Sequence, residues 1–70
     1  MDTFNLQGQE FIQLNQLMKI LNWVSSGGEA NILIDEGLVK VNGEIETRRR
    51  NKLKAGMLVE FNNQKVKIEA

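Results

Sequence analysis

The chain has 70 residues, no net charge, and neither cysteine nor histidine, and 41% of its residues are hydrophobic. This length predicts a single small domain, 1–70, and the apolar fraction favours a globular fold over disorder. Without cysteine there can be no disulfide or thiolate metal site, and without histidine the commonest general base is absent. We therefore expect no enzyme activity, no metal and no cofactor.

No apolar run approaches the roughly 18 residues that a membrane span requires. Residues 1–5 lack the positive and apolar segments of a secretory signal. We therefore expect a cytoplasmic protein with no membrane partner and no small-molecule substrate. Nothing in the sequence indicates an obligate dimer, so a monomer is predicted.

The first predicted elements are a strand and a helix. Apolar and polar residues alternate over 3–7 around Phe4 and Leu6, which is typical of a short strand. Four apolar residues then recur with the i, i+3, i+4, i+7 spacing of one helix face: Leu14, Leu17, Met18 and Leu21.

A second, shorter helix is predicted over residues 27–36. Ser26 and Glu29 have the S-x-x-E spacing of a capping box, in which the hydroxyl accepts a backbone N–H and the carboxylate reaches back. Gly37 stands where a left-handed C-cap belongs.

From Leu38 onward the apolar period changes to two, which indicates strands. Asn42-Gly43 is the strongest short-range hairpin signal, because both central residues of a type I′ turn need positive φ. Segments 57–61 and 64–68 are predicted to pair through a turn at 62–63. The order predicts an α+β fold with two short helices packed on a small antiparallel sheet of four to five strands.

The charge distribution is uneven, although the total is zero. Residues 1–47 carry two basic and seven acidic side chains, whereas residues 48–70 carry seven basic and two acidic ones. Five basic residues fall within seven positions: Arg48, Arg49, Arg50, Lys52 and Lys54. If this segment is extended, Arg48, Arg50, Lys52 and Lys54 share one side and Arg49 takes the other.

This cluster fits a polyanion, because guanidinium groups bond phosphate in a bidentate way and stack on bases. We predict phosphate contacts from Arg48 to Lys54, with Lys40 assisting. The few aromatic residues favour recognition of RNA shape over RNA sequence. Two alternatives stay open: an adaptor that binds an acidic protein surface through the same basic edge, and a solvated loop that keeps an edge strand from aggregating.

A longer motif carries a family resemblance. Residues 33–43, Leu-Ile-Asp-Glu-Gly-Leu-Val-Lys-Val-Asn-Gly, together with the helix leucines, Ser26 and Ala30, resemble the RNA-binding domain named after ribosomal small-subunit protein S-four. The resemblance covers residues 10–61 and is nearest to the small stand-alone bacterial members. It implies the αL RNA-binding motif and a structured RNA partner, such as ribosomal or transfer RNA.

Departures from the family pattern lie on the second helix. The arginine that usually follows the opening serine in the family is replaced by Gly27. Basic residues that are common on the outer face of the second helix are replaced by Asn31, Asp35 and Glu36. The resemblance implies phosphate contacts on this helix, but an acidic helix repels phosphate. We therefore expect the contact to shift toward Lys40 and the segment 48–54. The family's Gly-Asp turn is replaced by Gly56-Met57.

Overall fold

Helices and strands occupy most of residues 2–70, the part of the chain that the computed structural model describes. In chain order they are β1 (Asp2–Asn5), β2 (Ile12–Gln13), α1 (Leu14–Ile20), α2 (Gly27–Asp35), β3 (Val39–Val41), β4 (Glu44–Ile45), β5 (Lys52–Leu53), β6 (Leu58–Phe61) and β7 (Gln64–Glu69). One sheet has the strand order β1-β7-β6-β3-β4, and β2 pairs with β5 in a separate ribbon. The predicted α+β fold is confirmed.

The main sheet is mixed in direction. Strands β7, β6, β3 and β4 are antiparallel, as predicted, but β1 runs parallel to β7 with Phe4 opposite Ile68. A hairpin turn makes two strands antiparallel, and no hairpin joins β1 to β7, because the whole remaining fold lies between them. The direction of β1 is therefore set by packing and not by a local turn.

Both predicted hairpin turns form with left-handed backbones. Asn42 and Gly43 have φ of 54° and 85°, and Asn62 and Asn63 have φ of 51° and 64°. Asparagine tolerates this region because its short side chain can bond nearby backbone. The Asn42 side-chain oxygen accepts a hydrogen bond from the Leu58 N–H at 3.0 Å, which ties this turn to β6.

The cap of α2 is a variant of the predicted capping box. The Ser26 hydroxyl accepts the Glu29 N–H at 3.2 Å, as the spacing predicts. The Glu29 carboxylate accepts the N–H of Ser25 at 2.8 Å, one residue earlier than in the standard box. Gly37 adopts a φ of 77° after the helix, as expected for a C-cap glycine.

The core lies between the helix pair and the inner face of the main sheet. Fully buried side chains come from α1, α2, β3, β5, β6 and β7 and include Leu14, Leu17, Met18, Ile34, Val39, Leu53, Val59 and Ile68. Phe4, Trp23 and Phe61 pack against this cluster, with the Trp23 and Phe61 ring centroids 5.6 Å apart. Across residues 2–70 there is no helix with the length and apolar character needed to span a membrane.

Candidate nucleic-acid interface

Residues 48–54, five of which are basic, are here called the basic loop. This segment combines a turn with a very short strand. Residues 49–50 form the turn, and β5 follows at Lys52–Leu53. Leu53 is fully buried and opposite Ile12 of β2, so the alternation of side chains directs Lys52 and Lys54 outward. The buried leucine thus holds the exposed lysines against the domain.

The basic loop also closes the start of α1. Gln13, the N-cap residue of α1, makes no side-chain hydrogen bond to the helix. Carbonyls of the loop take its place: the Leu14 N–H donates to the Asn51 oxygen at 3.0 Å, and the Asn15 N–H donates to the Arg49 oxygen at 3.1 Å. Two N–H groups that a helix start leaves unpaired are satisfied in this way.

Four of the predicted residues border one groove. Arg48, Arg50, Lys52 and Lys54, with Asn51 and Met57, line an open groove of about 570 Å³, here called the basic groove. These are the four residues that sequence alternation groups together. Among residues 2–70, no carboxylate is one of the lining residues, and a surface of this composition can hold successive phosphates.

Arg48 is held in place by an acidic neighbour. Its Nε lies 2.8 Å from Glu46 Oε1, and its second bond joins Nη2 to Oε2 at 3.1 Å. Hydrogen bonds from the Arg48 side chain lower the pKa of Glu46, which keeps the carboxylate charged. The Arg48 side chain as a whole stays 75% exposed, so it remains open to a ligand at the rim of the groove.

Arg49 does not join the basic groove. Its Nε bonds Asp35 Oδ1 of α2 at 3.1 Å, and its Nη2 bonds the second oxygen of the same carboxylate. Hydrogen bonding by Arg49 lowers the pKa of Asp35. The structure therefore pairs Asp35, predicted to repel phosphate, with an arginine, predicted to contact it.

Lys40 is also separate from the other predicted residues. Val39 and Val41 are buried, so the alternation along β3 directs Lys40 to the outer face of the sheet. Its cross-strand neighbours are Ile45 and Glu60. It lines a different cavity, of about 340 Å³, which none of the residues of the basic loop borders.

Two further features beside the loop had no clear signal in the sequence. The Lys52 Nζ lies 5.1 Å from the centroid of the Phe11 ring, within reach of a cation–π interaction. Arg50 also borders a second cavity, of about 300 Å³, with Lys19 and Gln16 of α1. The first depends on the pairing of β2 with β5, and two-residue strands carry too little periodicity to be predicted. The second accompanies the bonds by which the residues on either side of Arg50 accept N–H groups of α1.

Among residues 2–70, no group of three or more potential histidine, cysteine or carboxylate ligands comes together.

The sequence profile of a known domain identifies the class of protein. The sequence profile of the S4 domain matches residues 4–69. The chain belongs to this S4 domain family, and the resemblance drawn from the central motif is confirmed.

Particular relatives agree with this assignment. The chain is 43% identical over 70 residues to the "Putative RNA-binding protein YbcJ" of Escherichia coli K12, with both chains covered completely. It is 41% identical over 52 residues to the "Probable ribosome maturation protein RlbA" of Bacillus subtilis 168, covering 74% of this chain and 73% of that one.

A solved structure shares the fold. The solution structure of E. coli YbcJ superimposes with a TM-score of 0.75 at 43% identity, and the match covers 100% of this chain and 89% of that one. That structure is described as revealing an αL motif involved in RNA binding.

Proposed function

We propose that this chain is a non-catalytic RNA-binding module that holds the phosphate backbone of a structured RNA in the basic groove. The observation that carries the proposal is the set of four cations, Arg48, Arg50, Lys52 and Lys54, around one groove without a carboxylate. Membership of the S4 domain family supports RNA as the polyanion. YbcJ, which the chain matches over its whole length, is described as having a motif involved in RNA binding.

The RNA is proposed to be ribosomal or transfer RNA, bound in the cytoplasm by a monomer. The name of the Bacillus relative, which refers to ribosome maturation, favours ribosomal RNA of these two. Three of the four aromatic residues pack against the core, which leaves few rings for stacking on bases. Recognition therefore rests on backbone shape, the usual mode for folded RNA.

The absence of catalysis is part of the proposal. The chain has no histidine, cysteine or tyrosine, which are frequent nucleophiles and general acids or bases. A bound RNA is therefore held and not chemically altered.

A test follows from counterion release. Four phosphate contacts predict that log K falls with log salt concentration with a slope of roughly −3 to −4. Labelled protein is titrated with a structured ribosomal RNA fragment at about 50 and 200 mM salt, where such a slope changes affinity about a hundredfold. Amide shifts are expected around residues 48–54 and are expected to weaken steeply at the higher salt.

Matched variants separate the basic groove from general charge. Arg50→Gln, Lys52→Gln and Lys54→Gln each remove one groove cation, and each should reduce the salt slope by about one contact. Lys65→Gln and Lys67→Gln remove the same charge from the outer sheet face, where Val66 and Ile68 are the inward residues. These two controls should leave the slope unchanged.

The outcomes discriminate between partners. Absence of shifts at low salt with several unrelated RNAs overturns the proposal. If an acidic polypeptide shifts the same amides as strongly as RNA does, the adaptor interpretation of the basic edge replaces it.

A further inference from the structure

Arg49 differs in environment from both of its arginine neighbours. Arg48 and Arg50 line the basic groove, and the carboxylate that Arg48 bonds, Glu46, is only two residues away in the chain. Arg49 lies outside the groove and bonds Asp35 of α2, a separate element, through two nitrogens. Building on the proposed RNA-binding function, we infer that Arg49 and Asp35 form a positioning pair. The pair fixes the basic loop against the helices, and Arg49 itself makes no phosphate contact.

The backbone of Arg49 supports this role. Its carbonyl oxygen accepts the Asn15 N–H at the start of α1, while its side chain reaches α2. A single residue thus links the basic loop to both helices. Because Arg48 and Arg50 flank it directly, a fixed Arg49 restricts the directions in which their side chains leave the backbone.

The face of α2 that carries Asp35 also contacts α1. Asn15 donates its side-chain N–H to the Asn31 oxygen at 3.3 Å, which joins α1 to α2. Asp35 lies four residues after Asn31, on the same face of α2 and one turn further along. One face of α2 therefore holds α1 at one turn and the basic loop at the next.

Loss of the Asp35 charge should have the opposite effect to the one that charge alone predicts. Asp35→Asn removes a negative charge that is bonded to the basic loop, and simple Coulomb attraction then predicts tighter RNA binding. If Asp35 positions the loop, the same substitution weakens binding, because the RNA must order a loop that the protein no longer holds. An exposed bidentate ion pair contributes little free energy, so we expect the affinity for RNA to fall only about two- to fivefold.

Glu36→Gln is the matched control. Glu36, the C-cap residue directly after α2, is exposed and makes no ion pair within residues 2–70. The substitution causes the same change in charge at the same end of the same helix. Its affinity for RNA should stay equal to that of the parent protein or rise slightly.

The salt slope distinguishes a positioning residue from a contact. Arg49→Gln should lower affinity about as much as Asp35→Asn does, with the salt slope unchanged, and the double variant should be no weaker than either single one. Arg50→Gln, by contrast, should reduce the magnitude of the slope by about one. A less steep salt slope for Arg49→Gln, or tighter binding by Asp35→Asn, overturns the inference.

Hydrogen exchange of the free protein keeps the test independent of RNA. In Asp35→Asn the Asn15 amide should exchange faster than in the parent protein and in Glu36→Gln, because the Arg49 carbonyl that accepts it is less firmly held. Unchanged exchange at Asn15 overturns the positioning role. A failure of RNA to bind any variant, with exchange altered as expected, refutes the proposed function and not the pair.

Discussion

The backbone N–H of Asn15 donates to the carbonyl oxygen of Arg49 at 3.1 Å, so the second residue of α1 is bonded to the basic loop. Helix starts usually obtain such bonds from the side chain of the N-cap residue. Here the N-cap residue, Gln13, provides none. The geometry of the basic loop and the start of α1 therefore depend on each other.

Hydrogen exchange in the parent protein should reveal this dependence. The Leu14 and Asn15 amides should be protected, because loop carbonyls accept both of them. Gly27 and Gly28 occupy the equivalent places in α2, and among residues 2–70 no backbone acceptor outside the helix is found for their amides. Protection factors corrected for intrinsic rates are the measurement, and equal protection at the two helix starts would contradict the assigned bonds.

The two arginine–carboxylate pairs should be visible in the pH titration. Hydrogen bonds from Arg49 and Arg48 lower the pKa of Asp35 and Glu46 from ordinary values of 3.8 and 4.5. A carboxyl group whose pKa is lower in the folded protein than in the unfolded chain stabilises the fold. This stabilisation is complete at pH values above the ordinary pKa and is lost as the pH falls through the lowered pKa. Stability should therefore decrease in the acidic range below those ordinary values.

Carboxyl NMR titration of Arg49→Gln provides the control for these pKa shifts. The pKa of Asp35 should return toward its ordinary value, because its main hydrogen-bond donor is gone. The pKa of Glu46 should stay low, because Arg48 is unchanged. A low pKa for Asp35 in this variant would show that another group is responsible.

Loss of the α2 cap should reduce stability by a measurable amount. Ser26→Ala removes the hydroxyl that accepts the Glu29 N–H, and N-cap substitutions of this kind cost about 1 kcal/mol. Urea unfolding should show a lower midpoint with the same m-value. Ser25→Ala is the matched control: its backbone N–H, which donates to Glu29, is kept, and the hydroxyl contact to that carboxylate is long at 3.4 Å. A midpoint as low for the control as for Ser26→Ala would argue against the cap.

Lys40 should not contribute to RNA binding through the basic groove. It projects from the outer sheet face opposite Glu60, in a cavity that the basic loop does not border. Lys40→Gln should therefore resemble Lys65→Gln, its neighbour on the other side of Glu60, in both affinity and salt slope. A slope reduced by about one contact in Lys40→Gln alone would instead place this lysine on the RNA path.

Local signals made most of the fold predictable. The apolar spacing of Leu14, Leu17 and Met18, the Ser26 cap and the Asn42-Gly43 turn each act over a few residues, and all three form as predicted. The outer elements were harder to predict. The parallel direction of β1 depends on β7, at the other end of the chain, and the pairing of β2 with β5 involves only two residues in each strand.

The sequence by itself determined which cations the protein has, and alternation grouped Arg48 with Arg50, Lys52 and Lys54. Only the tertiary structure decided how each arginine is used, because a carboxylate becomes a partner through proximity in space. Asp35 lies 14 positions before Arg49 in the chain, yet the packing of α2 against the basic loop brings them within bonding distance. This packing separates Arg49 from the basic groove, and the strand alternation that turns Lys40 outward separates that lysine from it. The other four predicted contacts share the groove.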